Sequence, residues 1–244
     1  IFGMHPVVKY GSEEMKQKYL PRVAKGDLHV AFGVTEPDAG TDTTSITTSA
    51  RLEGDNYLVK GRKVWTTKAL QSEKVLLLVR TTDKEATESR TGGMTLLLAD
   101  LQRDEVSISP IDKLGRNAVA TCEVVYDGLP VLLSDRVGEE GKGFRYLLDG
   151  LNAERILIAA EALGIGRAAM NKAVAYANER VVFGRPIGKN QGIAFPLAEA
   201  KMRLDAAELM IRKASWLIDN SQPCGAEANM AKWLAADAAF FAAD

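Results

Sequence analysis

The chain has 244 residues, 46% hydrophobic and 26% charged, with 31 Lys and Arg against 32 Asp and Glu and a formal charge of −1. That composition belongs to a folded globular protein with one large or two small domains, and it excludes a disordered or collagen-like chain. Near-neutral charge without a block of like charges argues against a nucleic-acid backbone or an acidic membrane as the main partner.

Uninterrupted apolar runs, such as those at residues 75–79 and 156–160, fall far short of the ~20 residues that a membrane span needs. Cys122 and Cys224 lie far apart with no second cysteine or histidine at metal-ligand spacing, so free buried thiols are expected and no metal site. His5 and His29 are the only imidazoles, and neither sits in a nucleophile-elbow or HExxH pattern. Any chemistry must therefore come from carboxylates or from a cofactor. The first residue is Ile1 and no basic-then-apolar leader follows, so the chain reads as a fragment without a legible address.

Residues 11–26 predict a helix, with Ser12 as N-cap, Glu13 and Glu14 in the first turn, and Pro21 dividing it from a second short turn. From His29 the period changes: Val30, Phe32 and Val34 alternate with smaller residues before a Pro/Gly/Asp cluster at 37–42, predicting a strand that runs into a tight loop. Segments 45–52, 57–67, 74–81, 94–99, 106–111 and 121–126 then read as short strands, with a turn at Gly54-Asp55-Asn56. They suggest an antiparallel sandwich or barrel.

After Gly143 the pattern is helical over 144–180, 191–220 and 226–243, with breaks at 184–190 and 221–225. A helix of nearly forty residues spans about 55 Å, and short connections imply antiparallel neighbours. The fold class is thus α+β: a helical remnant at 1–28, an antiparallel β-barrel or sandwich at 29–138, and an antiparallel helix bundle at 139–244. Gly164-Ile165-Gly166-Arg167-Ala168-Ala169 matches the dinucleotide fingerprint, but no strand precedes it, so the phosphate-cradling turn is not expected.

Four segments concentrate functional side chains. Residues 33–45 crowd hydroxyls and backbone amides around two glycines, which suits either a polar ligand or a plain surface turn. Trp65-Thr66-Thr67 sets an indole beside hydroxyl donors, as a flat heteroaromatic requires, although a core aromatic would read the same. At the start of the longest helix, Leu147, Leu151, Glu154 and Ile158 fall on one face, so a carboxylate interrupts an apolar stripe. Desolvation there would raise its pKa towards that of a general base; a structural ion pair is the equal alternative. Finally, Arg180-Val181-Val182-Phe183-Gly184 with Gln191 closes that helix, Gly184 reading as a C-cap.

Taken in order, Val34-Thr35-Glu36-Pro37-Asp38-Ala39-Gly40-Thr41-Asp42, Trp65-Thr66-Thr67, Lys113-Leu114-Gly115-Arg116, Glu154-Arg155 and Arg180-Val181-Val182-Phe183-Gly184 with Gln191 closely resemble the acyl-CoA dehydrogenase family of flavoproteins. The resemblance covers nearly the whole chain, which by that comparison begins near the end of the first helical domain and stops inside the last. It implies FAD as cofactor, met by Phe32, Val34, Thr35, Gly40, Thr41, Trp65 and Thr67, the last donating to flavin N5. It implies that Arg180, Phe183 and Gln191 reach the FAD of a neighbouring protomer, making a homodimer or homotetramer. Thr41, Phe144, Leu151, Asn152 and Arg155 would meet the acyl-CoA substrate, and Glu154 would be the catalytic base, in the branch of the family that carries it immediately before the Arg. Electrons would pass to an electron-transfer flavoprotein, in the bacterial cytoplasm or the mitochondrial matrix. The same scaffold also accommodates a flavin oxidase or monooxygenase, or a non-catalytic binding member.

Overall fold

The computed structural model describes residues 3–244. Residues through Gly150 form one compact unit and Leu151–Asp244 a second.

The first unit opens with two helices. Helix α1 (His5–Tyr10) is too short for its period to show in the sequence. In α2 (Glu13–Lys25) the Ser12 hydroxyl accepts from Met15 N at 3.1 Å, and Gly26 closes the helix at φ 82°. Pro21 does not divide this helix as expected but lies within it. Tertiary anchoring outweighs the hydrogen bond the proline forfeits: Met15 and Tyr19 are buried, and the Tyr19 hydroxyl donates to buried Asp135 at 2.9 Å.

The strands are β1 (Val30–Gly33), β2 (Ser49–Glu53), β3 (Asn56–Thr67), β4 (Lys74–Arg80), β5 (Met94–Asp100), β6 (Val106–Pro110), β7 (Thr121–Leu132) and β8 (Arg136–Val137). They hydrogen-bond in the order β6-β7-β3-β2-β4-β5-β8, with β1 added beside β4. Most ladders are antiparallel, as the short turns require. The antiparallel expectation needs amending along β4: β1 pairs parallel to it, Val30 opposite Lys74 and Gly33 opposite Leu77, and β2 meets it in parallel at Ser49 opposite Arg80. A parallel pair needs a long crossover, and the chain that includes β2 and β3 supplies it.

Tyr57 and Val59 of β3 and Cys122, Val124 and Tyr126 of β7 share one core with Val75, Leu77 and Val79 of β4 and Leu97 and Ala99 of β5. The sheet thus folds over its own inner face. Leu76, Leu78, Leu96 and Leu98 point the other way and are equally buried, which is why β4 and β5 read as continuous apolar runs.

Helix α3 (Gly143–Glu179) is 37 residues long, followed by a small hairpin of β9 (Val181–Val182) and β10 (Arg185–Pro186) and by α4 (Gln191–Asp219) and α5 (Gly225–Ala243). In the second unit, Ile156, Ala159, Leu163 and Met170 of α3 pack with Ala200, Leu204, Ala207, Ile211 and Ala214 of α4 and an alanine row on α5. Ion pairs Arg203–Asp237 and Lys213–Glu227 fix α4 antiparallel to α5, and Arg167–Glu208 ties α3 to α4. The fingerprint-like Gly164–Ala169 stretch lies inside α3. At Gly166 an added Cβ would stand 2.6 Å from Leu204 Cδ2 and 3.0 Å from Ala239 Cα, so this glycine serves close helix packing. Among the described residues no helix is long and apolar enough to cross a membrane.

Candidate active site

In the first unit the site begins where β1 stops. Phe32 is half-buried within the strand, and Gly33 follows because a Cβ there would lie 2.7 Å from Leu77 Cδ2. The loop that leaves β1 is held at several points. The Val34 carbonyl accepts from Lys63 Nζ at 2.8 Å, and the Thr35 carbonyl from Val64 N at 2.9 Å. Glu36 and Ala39 exchange backbone hydrogen bonds across a tight turn, beyond which Gly40 and Thr41 are exposed. Asp42 accepts from Ser45 Oγ at 2.6 Å and from Thr44 Oγ1, and these bonds hold its pKa at about 2. Buried Arg80 anchors the far end, its Nε donating to Ile46 O at 2.9 Å and its terminal nitrogens to Thr44 O and Gly92 O.

The end of β3 supplies the opposing wall. Lys63 pairs with Val124 but Thr66 pairs with Cys122, so β3 carries one residue more than β7 across this interval. Trp65 lies in the resulting bulge at φ 60°, a left-handed conformation unusual for a bulky residue. The bulge turns the indole outward, leaving it 58% exposed, with Thr67 exposed two residues on and Thr66 buried between them. Val34, Thr35, Trp65 and Thr67 are therefore brought together, since Val34 and Thr35 bond to the two residues immediately before the tryptophan.

Sequence reasoning missed Lys63, which is fully buried and pairs with Glu36 Oε1 at 2.9 Å. The signal was present in the parity of β3: Tyr57 and Val59 point inward, and Lys63 falls in the same alternate series. Burial lowers the Lys63 pKa to about 8 against the pull of Glu36. Burial alone would raise the Glu36 pKa, but the Lys63 charge and hydrogen bonds from Thr47 and Thr48 outweigh it and hold it at about 2.

The opening of α3 belongs to the same unit. Gly143 packs where a Cβ would come within 2.6 Å of the Thr95–Leu96 backbone, and Phe144 follows, half-buried. Helix α1 docks here through the stacked rings of Tyr10 and Tyr146, 4.0 Å apart, and through Lys9–Asp149. Lys113 is tied to Val119 O and Thr121 Oγ1, while Leu114 of the same segment is wholly exposed.

In the second unit, Glu154, Arg155 and Ile158 of α3 face Asn229, Lys232, Trp233 and Ala236 of α5 across a cleft of about 320 Å³. Leu151 and Asn152 are half-buried one turn earlier, and Asn152 Oδ1 accepts from Arg155 at 3.0 Å. The Glu154 carboxyl is half-buried, and among the described residues nothing hydrogen-bonds or ion-pairs with it. Burial raises its pKa, and Arg155 opposes this only in part. Of the two readings left open above, the structural ion pair is the one that this geometry disfavours. Asn229, Lys232 and Trp233 escaped sequence reasoning because only the packing of α5 beside α3 brings them to the cleft.

At the α3–α4 connection, Arg180 and Gln191 are exposed and Phe183 is completely so. Gly184 is not the helix cap expected from its position. Phe183 (φ 51°) and Gly184 (φ 74°) are the two central residues of the β9–β10 hairpin, and both positive φ values suit a type I′ turn.

The sequence matches two family models, described as "Acyl-CoA dehydrogenase, middle domain" over residues 31–129 and "Acyl-CoA dehydrogenase, C-terminal domain" over residues 141–244. It is 38% identical over 242 residues to an acyl-CoA dehydrogenase of Bacillus subtilis, covering 99% of this chain and 63% of the relative. It is also 38% identical over 235 residues to a 3-(aryl)acrylate reductase of Clostridium sporogenes, covering 96% of this chain and 61% of that one. The chain thus spans about three-fifths of the length of the curated relatives it matches. Among solved structures, butyryl-CoA dehydrogenase from Megasphaera elsdenii superimposes with a TM-score of 0.92 at 33% identity, over 97% of this chain and 61% of that one. Matched in both its sheet and its helical parts, in sequence and in fold, the chain belongs to the acyl-CoA dehydrogenase family.

Proposed function

We propose that the chain is the flavin-binding and proton-abstracting part of an FAD-dependent acyl-CoA dehydrogenase. The observation that carries this reading is Glu154, a half-buried carboxylate without a partner among the described residues, whose pKa is raised by its cleft. A carboxylate held as a structural counter-ion would show the opposite shift.

The residues present fit FAD. An outward-facing indole held in a strained bulge, with a hydroxyl on the same side and a pinned loop of hydroxyls and amides beside it, offers a flat heteroaromatic a stacking face and edge donors. Trp65 would pack beside the ring, Thr67 would donate to its edge, and Phe32, Val34, Thr35, Gly40 and Thr41 would supply the remaining contacts, Thr41 also meeting substrate. Bound FAD would supply the hydride acceptor for the β-hydrogen of the substrate. Glu154 takes the α-proton onto its carboxylate, and its apolar stripe keeps it weakly solvated and therefore basic. Arg155, oriented by Asn152, holds the CoA portion, and Phe144 and Leu151 line the acyl group. Arg180, Phe183 and Gln191 are exposed together, as residues offered to a neighbouring copy's FAD must be, and a homodimer or homotetramer follows. An electron-transfer flavoprotein takes the electrons onward.

Anaerobic addition of an acyl-CoA to the FAD-loaded protein should bleach the flavin, and Glu154→Gln should retain FAD but lose the bleaching. Bleaching at the parental rate in that variant would place the base elsewhere. The relative named an acrylate reductase makes direction worth testing in the same cuvette: reoxidation of the reduced flavin by an α,β-unsaturated acid without an electron-transfer flavoprotein would mark a reductase. A prolyl acyl-carrier-protein oxidase is also a structural neighbour, with a TM-score of 0.91 at 30% identity, and oxygen consumption on turnover would mark that variant.

A further inference from the structure

The cofactor loop is fastened by a charge that packing does not require. Lys63 is wholly buried, and its Nζ donates to the Val34 carbonyl at 2.8 Å and to Glu36 Oε1 at 2.9 Å. Glu36 is fastened in turn on its other side. Thr47 N at 2.7 Å and Thr47 Oγ1 at 2.9 Å donate to Oε2, and Thr48 N at 2.9 Å donates to Oε1. One ammonium and one carboxylate therefore connect three separate pieces of chain: the end of β3, the start of the loop and the segment before β2. The mutual attraction of the two charges does little more than offset their desolvation, so what the pair contributes is its bonds to the Val34 carbonyl and to the Thr47 and Thr48 amides. What an apolar pair cannot do is hold a backbone carbonyl in one place.

We propose that Lys63 and Glu36 are a positioning pair for the flavin: their charged hydrogen bonds fix the Val34–Thr35 segment against β3 beside Trp65, so that the cofactor loop is formed before FAD binds. The proposal rests on the FAD reading above. Neither residue contacts the flavin; the pair acts through the Val34 carbonyl and, next to it, the Val64 N to Thr35 O bond at 2.9 Å. A preformed loop spares the cofactor the cost of ordering it, and a loop freed of its clamp returns that cost to the binding step.

The test is the double variant Lys63→Met with Glu36→Gln, which keeps side-chain volume and leaves no uncompensated buried charge. The variant loses some stability, because the Val34 carbonyl and one of the Thr47 and Thr48 donors go unpaired, so binding is measured well below its thermal midpoint, where FAD should bind at least ~10-fold more weakly through the lost preorganisation, with altered vibronic structure in the visible flavin band. Parental FAD affinity and an unchanged band in the double variant would overturn the proposal. A second measurement needs no variant: in the FAD-free parent, hydrogen exchange at the Val64, Thr47 and Thr48 amides should already be slow. Fast exchange there, slowed only by FAD, would equally overturn it. A parent that binds no FAD would instead sink the functional reading, and this proposal with it.

Discussion

Replacing Glu36 by Gln together with Lys63 by Met tests the electrostatics of the loop through a pH dependence whose size follows from the structure. The folded-state pKa of Glu36 is held at about 2 against an ordinary glutamate value of 4.5, because Lys63 and the Thr47 and Thr48 donors favour its charged form. A depressed carboxylate pKa contributes stability that is present above 4.5 and is lost as pH falls towards 2. The full shift corresponds to about 3 kcal/mol, of which about 2 kcal/mol is gone by pH 3. Lys63 stays protonated throughout this window, since its own lowered pKa is about 8, so the acid limb belongs to Glu36. Because Glu36→Gln alone would let burial drop the Lys63 pKa further and add a second titration, the variant compared is Lys63→Met with Glu36→Gln, which carries neither charge. The assay is the urea midpoint of parent and variant between pH 7 and pH 3, at constant ionic strength. Other acidic groups titrate in both proteins and cancel in the difference. The gap should narrow by about 2 kcal/mol on acidification. A gap that stays constant from pH 7 to pH 3 would refute the reasoning.

Glu154→Gln should slow anaerobic flavin bleaching by about 10²–10⁴-fold with FAD retained. In the parent the bleaching rate should fall on acidification at a pH above the usual carboxylate range, because burial raises the Glu154 pKa and a protonated base is inactive. A parental rate in the variant, or a pH-independent rate in the parent, would contradict this. Trp65→Gly should relieve the left-handed backbone strain, stabilising the FAD-free protein by about 1 kcal/mol, while weakening FAD binding through loss of the stacking face; equal losses in both would mean that the indole is structural. Two glycines two residues apart in α3 should respond oppositely. Gly164→Ala has nothing within 4 Å of the new Cβ and should gain up to about 1 kcal/mol of helix propensity, whereas Gly166→Ala meets Leu204 and the Ala239 backbone and should lose about 1–3 kcal/mol in chemical denaturation.

Local pattern carried a large share of this protein. The periods of 2 and 3.6 are properties of the chain itself, so the long strands and the three long helices were legible to within a few residues, as were the Ser12 cap and the helical setting of Gly164–Ala169. The partial desolvation of Glu154 was legible because a carboxylate on an apolar helical stripe announces it without any knowledge of its neighbours. Tertiary structure decided the rest. The parallel seat of β1 beside β4, the continuity of α2 through Pro21 and the hairpin role of Gly184 depend on partners remote in sequence or on the path of the chain, which local propensity does not encode. The bulge that turns Trp65 outward arises only because β3 carries one residue more than β7 between the Lys63–Val124 and Thr66–Cys122 pairs. The pairing of Lys63 with Glu36 and the approach of Lys232 and Trp233 to Glu154 join positions that periodicity treats as independent, since a side chain's electrostatic surroundings are set by what packing brings against it.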